Sequence, residues 1–100
     1  MSYTVIIHKA VKNDVIDAKD WYKSQQKGLE IRFASDVKTT ISYLIKNPLL
    51  FQEKYKKVRI SFTELFPFGV HYHLNQGTKT ITVLGVFHTS MLRCKWHKRL

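Results

Sequence analysis

Phe66-Pro67-Phe68-Gly69-Val70-His71-Tyr72-His73-Leu74, followed after a turn by Ile81-Thr82-Val83-Leu84-Gly85-Val86-Phe87-His88, is the stretch that decides the fold. Phe66-Pro67-Phe68-Gly69 turns the chain, and Val70, Tyr72 and Leu74 then alternate with His71 and His73, the period of a strand. Asn75-Gln76-Gly77 is a tight-turn signal. Ile81–Phe87 carries apolar residues on both faces, as a central strand does. Two adjacent strands that end on a histidine and run into basic Lys95–Arg99, with Trp96 between, suggest a sheet face that meets an anion.

The pattern continues upstream. Val58, Ile60 and Phe62 alternate with Arg59, Ser61 and Thr63, which predicts a strand with the first set buried and the second wet. Before it, Phe33, Val37, Ile41 and Leu44 recur at helical spacing over about Glu30 to Lys46, with Leu29 leading in. Asn47-Pro48 ends that helix, because proline disfavours helical geometry at the residue before it. An earlier helix runs from about Asp14 to Lys27, with Val15, Ala18 and Tyr22 on one stripe and Asn13 or Asp14 as its cap. Gly28 is its natural stop. So short a connection implies an antiparallel helix hairpin. Tyr3–His8, rich in β-formers, reads as a first strand. The order β-α-α-β-β-β makes an α+β fold, a helix hairpin packed on one face of a mainly antiparallel sheet, with a short basic C-terminal tail or helix. The other sheet face is then open to a partner.

One hundred residues make a single domain, 1–100, and a 44% hydrophobic content fits a packed core. Seventeen Lys+Arg against seven Asp+Glu give a formal charge of +10, more than solubility needs, and favour nucleic acid, a ribosome or an acidic protein as partner. Cys94 is alone, which excludes a disulfide within the chain and a cysteine-rich zinc site and fits a reducing, cytoplasmic setting. Val5-Ile6-Ile7 is too short an apolar run for a signal peptide or a membrane span. No glycine-rich phosphate loop, nucleophile elbow or metalloprotease helix is present, so ATPase, serine hydrolase and dehydrogenase chemistries are unsupported.

Histidines and cations carry the remaining chemistry. His71 and His73, two apart on a strand, share a face, with Arg59 on the preceding strand as a candidate neighbour and His88 at the last strand's end. Such a cluster suits RNA cleavage: one group takes the proton of a ribose 2′-hydroxyl, another protonates the leaving 5′-oxygen, and a cation stabilises the charged phosphorane. The same His-x-His pair is equally at home on a plain polar strand face. A metal held by His71, His73 and His88 would lack carboxylate support in cationic surroundings, so no metal and no cofactor is expected. Lys54, Lys56, Lys57 and Arg59, with Tyr55 interleaved, either grip phosphates with a ring for stacking or guard a solvated strand edge. Trp21 and Tyr22 read as packing residues, and Trp96 as an anchor of the tail.

Asp17-Ala18, Trp21-Tyr22, Gly28-Leu29, Phe33, Ile41, Asn47-Pro48, Arg59, Phe66-Pro67-Phe68, Tyr72, the Val83–His88 strand end and Trp96 together resemble the RelE/ParE superfamily of bacterial toxins, in order and spacing, over nearly the whole chain. The ParE-like, plasmid-stabilisation branch is the most similar. The resemblance implies the toxin of a type II toxin–antitoxin pair, a cytoplasmic growth inhibitor neutralised by a cognate antitoxin that is acidic or partly disordered. RelE-like members are ribosome-dependent mRNA endoribonucleases, whereas ParE-like members poison DNA gyrase without an active site of their own. A degenerate, non-toxic basic nucleic-acid-binding module is a third alternative. For catalysis the candidates are His71, His73, Arg59, Arg93 and His88; for binding of nucleic acid or target they are Lys54, Tyr55, Lys56, Lys57, Lys95, Lys98 and Arg99. Met91 stands where this flavour of the family carries an arginine, three residues after the strand-ending His88, and Arg93 stands where it carries proline. A thioether cannot stabilise a phosphorane, so a nuclease here needs Arg93 to substitute.

Overall fold

The computed structural model describes residues 3–90. Strand β1 (Thr4–Ile7) leads into helices α1 (Ala10–Gln25) and α2 (Leu29–Lys46), and β2 (Glu53–Tyr55), β3 (Val58–Phe62), β4 (Phe68–Asn75) and β5 (Thr80–His88) follow. Among the described residues the strands form one sheet in the order β1-β5-β4-β3-β2, with β1 parallel to β5 and the other pairs antiparallel. This is the α+β architecture that the sequence predicts, with β5 an interior strand between β1 and β4, plus one short strand. Glu53-Lys54-Tyr55 has no apolar alternation to announce β2. The predicted tail or helix at Lys95–Arg99 lies outside the described residues, as do Met91, Arg93, Cys94 and Trp96.

The helix starts differ from expectation for a local reason. α1 begins at Ala10, whose N–H donates to Nδ1 of His8 at 3.0 Å. Asp14 therefore sits inside the helix, and its carboxylate accepts the N–H of Val86 at 3.1 Å. β1 ends opposite Val83, so the outer edge of β5 beyond that point has no strand partner, and Asp14 serves it instead. Between the helices, Gly28 stands at φ +94°, where a side chain would be strained, and its N–H donates to Oε1 of Glu30 at 2.7 Å.

The core lies between the hairpin and one sheet face. Val11 and Tyr22 of α1 and Phe33, Val37 and Leu44 of α2 meet Phe68, Val70, Tyr72 and Leu74 of β4 and Ile81, Val83 and Val86 of β5. Each such buried side chain stabilises the fold by roughly 1.5–3 kcal/mol. Tyr22, Phe33, Phe66 and Phe68 form an aromatic cluster with centroid separations of 4.8 to 6.2 Å. Trp21 does not join this core as expected: it is 59% exposed, with its ring edge-on to Tyr22.

β3 corrects the predicted phase. Arg59 pairs with Tyr72 and Ser61 with Val70, so these polar residues face the helices. Val58, Ile60 and Phe62 pair with His73, His71 and Gly69 on the opposite face. Alternation separates two faces but does not say which one the helices cover. Here Val58, Ile60, His71 and Phe87 are buried on the far face too, so its centre is not the open, wet surface that the sequence suggested. Gly69 lets the strands approach there: a Cβ would lie 2.8 Å from Cγ2 of Ile60. In β5 the register steps from Gly85 opposite His71 to Val83 opposite Tyr72, which makes a bulge at Leu84.

Candidate functional site

His71 is 2% exposed. Its Nδ1 lies 2.8 Å from the Tyr55 hydroxyl, and its ring meets Phe87 edge-on at 4.9 Å. Burial pushes the Tyr55 phenol up to about 12, so it stays protonated at neutral pH. Tyr55 is thus committed to the sheet interior, and its ring is not the free stacking platform that the basic run implied. His73 shares the face of His71, as the spacing predicts, and is half-buried.

Arg59 is not beside His71. On the helix-side face its Nη1 donates to the Phe51 carbonyl at 2.6 Å, and its Nη2 lies 3.8 Å from Oε1 of Glu53. Next to it the Tyr72 hydroxyl donates to the Pro48 carbonyl at 2.8 Å. Burial raises the Tyr72 pKa to about 12, with the Arg59 guanidinium pulling in the other direction. Both side chains fasten the segment between α2 and β2. Arg59 does share one space with His73: a hollow of about 310 Å³ at the end of the sheet, lined by Glu53, Lys57, Arg59, His73, Leu74, Asn75 and Gln76.

His88 lies elsewhere. It pairs with Phe68, whose side chain belongs to the core between sheet and helices, and its ring stands edge-on to Phe68 at 5.3 Å. Its Nδ1 accepts the N–H of Ser90 at 3.1 Å. With Ala18, Trp21, Tyr22, Pro67 and Phe68 it lines an apolar hollow of about 440 Å³. The described members of the predicted catalytic set therefore do not gather at one place: His71 is enclosed in the far face, His73 on that same face opens with Arg59 into the hollow at the sheet end, and His88 lies against α1. Among the described residues no three histidine, cysteine or acidic side chains are placed to hold a metal ion. Lys54, Lys56 and Lys57 are exposed around the β2–β3 turn, while Arg93, Lys95, Lys98 and Arg99 lie outside the described residues.

Asp36 is the residue that sequence reasoning missed. Buried on α2, its carboxylate accepts the N–H groups of Glu64, Leu65 and Phe66 at 3.2, 2.9 and 3.1 Å. It sets the turn that carries Phe66 and Pro67 into the core and the apolar hollow. The signal was available, since an aspartate three residues after Phe33 and beside Val37 falls on the apolar stripe of α2.

The family model described as the ParE toxin of the type II toxin–antitoxin system, parDE, matches residues 5–93. Among solved structures, the chromosomal ParDE toxin–antitoxin system from P. aeruginosa is similar with a TM-score of 0.77 and 15% identity, over 89% of this chain and 98% of that one. The RelBE2 toxin–antitoxin complex from Mycobacterium tuberculosis is similar with a TM-score of 0.59 and 16% identity, over 88% of this chain and 99% of that one. At these identities the likeness is one of fold. No curated protein is significantly similar in sequence. Among the described residues no helix is long and apolar enough to cross a membrane.

Proposed function

Because the chain belongs to the ParE toxin family of type II toxin–antitoxin systems, we propose that it arrests growth by binding DNA gyrase rather than by cutting mRNA on the ribosome, and that a cognate acidic antitoxin holds it inactive. The observation that carries the choice is that the imidazoles do not meet at one open site: of the two that share a face, His71 is enclosed and His73 half-buried, and His88 lies across the sheet from both. Cleavage of RNA by general acid–base catalysis needs an acid and a base within hydrogen-bond reach of adjacent substrate oxygens. His71 is enclosed against Tyr55 and Phe87, and His88 stands on the other side of the sheet against Phe68. Arg59 is held by the Phe51 carbonyl and Glu53. A toxin that works by occupying a protein target requires none of these groups to converge. Gyrase is the target that the sequence resemblance to ParE-like toxins implies.

An antitoxin partner is supported by the formal charge of +10 and by the toxin–antitoxin complexes among the structural neighbours. A segment that folds on binding would cover a large surface of so short a chain.

Purified toxin added to gyrase should inhibit supercoiling, and co-expressed antitoxin should restore growth to induced cells. Full supercoiling in the presence of excess toxin, with codon-linked cuts in translated messages by primer extension, would replace this mechanism with the nuclease one. Induction that leaves growth unaffected would remove the toxin role and leave the non-toxic binding module.

A further inference from the structure

Lys56 and Lys57 alone join β2 to β3, and both stand in the left-handed region, at φ +39° and +65°. A two-residue hairpin needs that conformation to match the twist of its strands, and asparagine and glycine supply it readily. Lysine carries a Cβ that makes it unfavourable. With exposed Lys54 just before them, three ammonium groups are held at a tip whose backbone would be more stable with other residues. Strain retained at a turn is a pointer to function.

The hollow of about 310 Å³ at the sheet end adjoins this tip, since Lys57 lines it together with Arg59 and His73. Because it wraps the strand ends, it gathers Arg59 from the helix-side face and His73 from the far face. Asn75 and Gln76 add amide donors, and Glu53 is its single carboxylate.

We propose that the β2–β3 hairpin and this hollow form a phosphate-binding edge that grips the backbone of duplex DNA. Ammonium and imidazole groups with amide donors are the chemistry that phosphate oxygens take, and Arg59, held by the Phe51 carbonyl and Glu53, adds its charge from the wall of the hollow. A duplex fits better than a single strand, because single-strand binding draws on stacked bases, and at this end of the hairpin the aromatic side chain is Tyr55, which is tied to His71, while exposed Phe62 stands at the opposite end of β3. A nucleic acid fits better than an acidic peptide. A peptide that orders on binding gains from apolar burial, yet exposed Trp21, Ile31 and Leu65 lie on other elements, exposed Phe62 stands at the end of β3 away from the hollow, and the apolar residue of the hollow, Leu74, is buried. The edge is independent of the gyrase reading, since it holds DNA with no enzyme present.

The test is binding of the full chain to a short fluorescent duplex, followed by anisotropy between about 50 and 200 mM salt. In the double variant Lys56→Asn/Lys57→Gly, affinity should fall and the slope of log K against log salt should become shallower by about 2, the signature of two lost phosphate contacts. The same variant should unfold about 4 °C or more higher, because the turn strain is relieved, so weaker binding cannot be read as misfolding. The control is Lys12→Gln/Lys23→Gln on α1, which removes equal charge from other exposed positions. An equal loss in the control would mean diffuse attraction and overturn the proposal. Tighter binding of single-stranded RNA or of a polyglutamate peptide than of the duplex would overturn it as well.

Discussion

A single carboxylate, that of Asp36, gathers three successive backbone amides of the β3–β4 turn at 2.9 to 3.2 Å. Charged acceptors make the stronger hydrogen bonds, and amides left without one lose more than the bond itself. Asp36→Ala should lower the unfolding free energy by about 2–3 kcal/mol in urea titrations, and Asp36→Asn by less, since its amide oxygen still accepts. Equal losses in the two variants would mean that the negative charge, which both remove, carries the whole effect and that an uncharged oxygen in the same place contributes nothing. Asp36 was legible as a polar residue on the apolar stripe of α2, and the strand histidines show what a sequence conceals. The His71–His73 spacing fixes that both imidazoles share a face, and they do. It cannot reveal that Tyr55 closes on His71, or that Arg59 pairs with Tyr72 on the other face, because a shift of one residue in register exchanges the faces. Asp14 misled for a related reason. Aspartate near a helix start favours a cap, but the unpaired edge of β5 competes for it and wins.

At the scale of elements, periodicity was enough to locate both helices and the three long strands, while β2 stayed hidden because three polar-flanked residues have no period. The segment between α2 and β2 is shaped less by its own residues than by two strand side chains, Tyr72 on the Pro48 carbonyl and Arg59 on the Phe51 carbonyl. That dependence gives it a pH response. Burial lifts Tyr72 and Tyr55 from the ordinary 10.0 to about 12. Between these values the folded chain keeps protons that the unfolded chain has released, so stability falls as pH rises through the window and is fully present below it. Urea midpoints measured on either side of about pH 10 should show this decline. Tyr72→Phe should make the decline shallower while lowering stability at neutral pH by about 1 kcal/mol, because the Pro48 carbonyl loses its donor. Since lysines titrate in both proteins alike, the difference between them isolates Tyr72. A decline of unchanged steepness in the variant would place the titrating group elsewhere.

For the molecule as a whole, charge is the property that neither the fold nor the core resolves. Seventeen basic residues face seven acidic ones in one hundred. Arg59 and Glu53 make an ion pair, loose at 3.8 Å. Two of the acidic side chains, Asp14 and Asp36, are turned to backbone amides. The lysines of α1, of the β2–β3 turn and of the remaining surface therefore repel one another, and compaction brings them closer than the unfolded chain does. Salt shortens the reach of that repulsion to about 8 Å at physiological ionic strength. The melting temperature should consequently rise as sodium chloride is added from a low-salt buffer, in the range where screening changes most. A neutral osmolyte at the same osmolality should lack that steep low-concentration rise. A polyanion should stabilise far more per charge than sodium chloride, because it binds the folded cationic surface as a unit and adds binding free energy to stability. A melting temperature indifferent to salt would mean that the excess charge is already compensated within the fold. The pull towards an acidic antitoxin would then have to come from contacts other than charge.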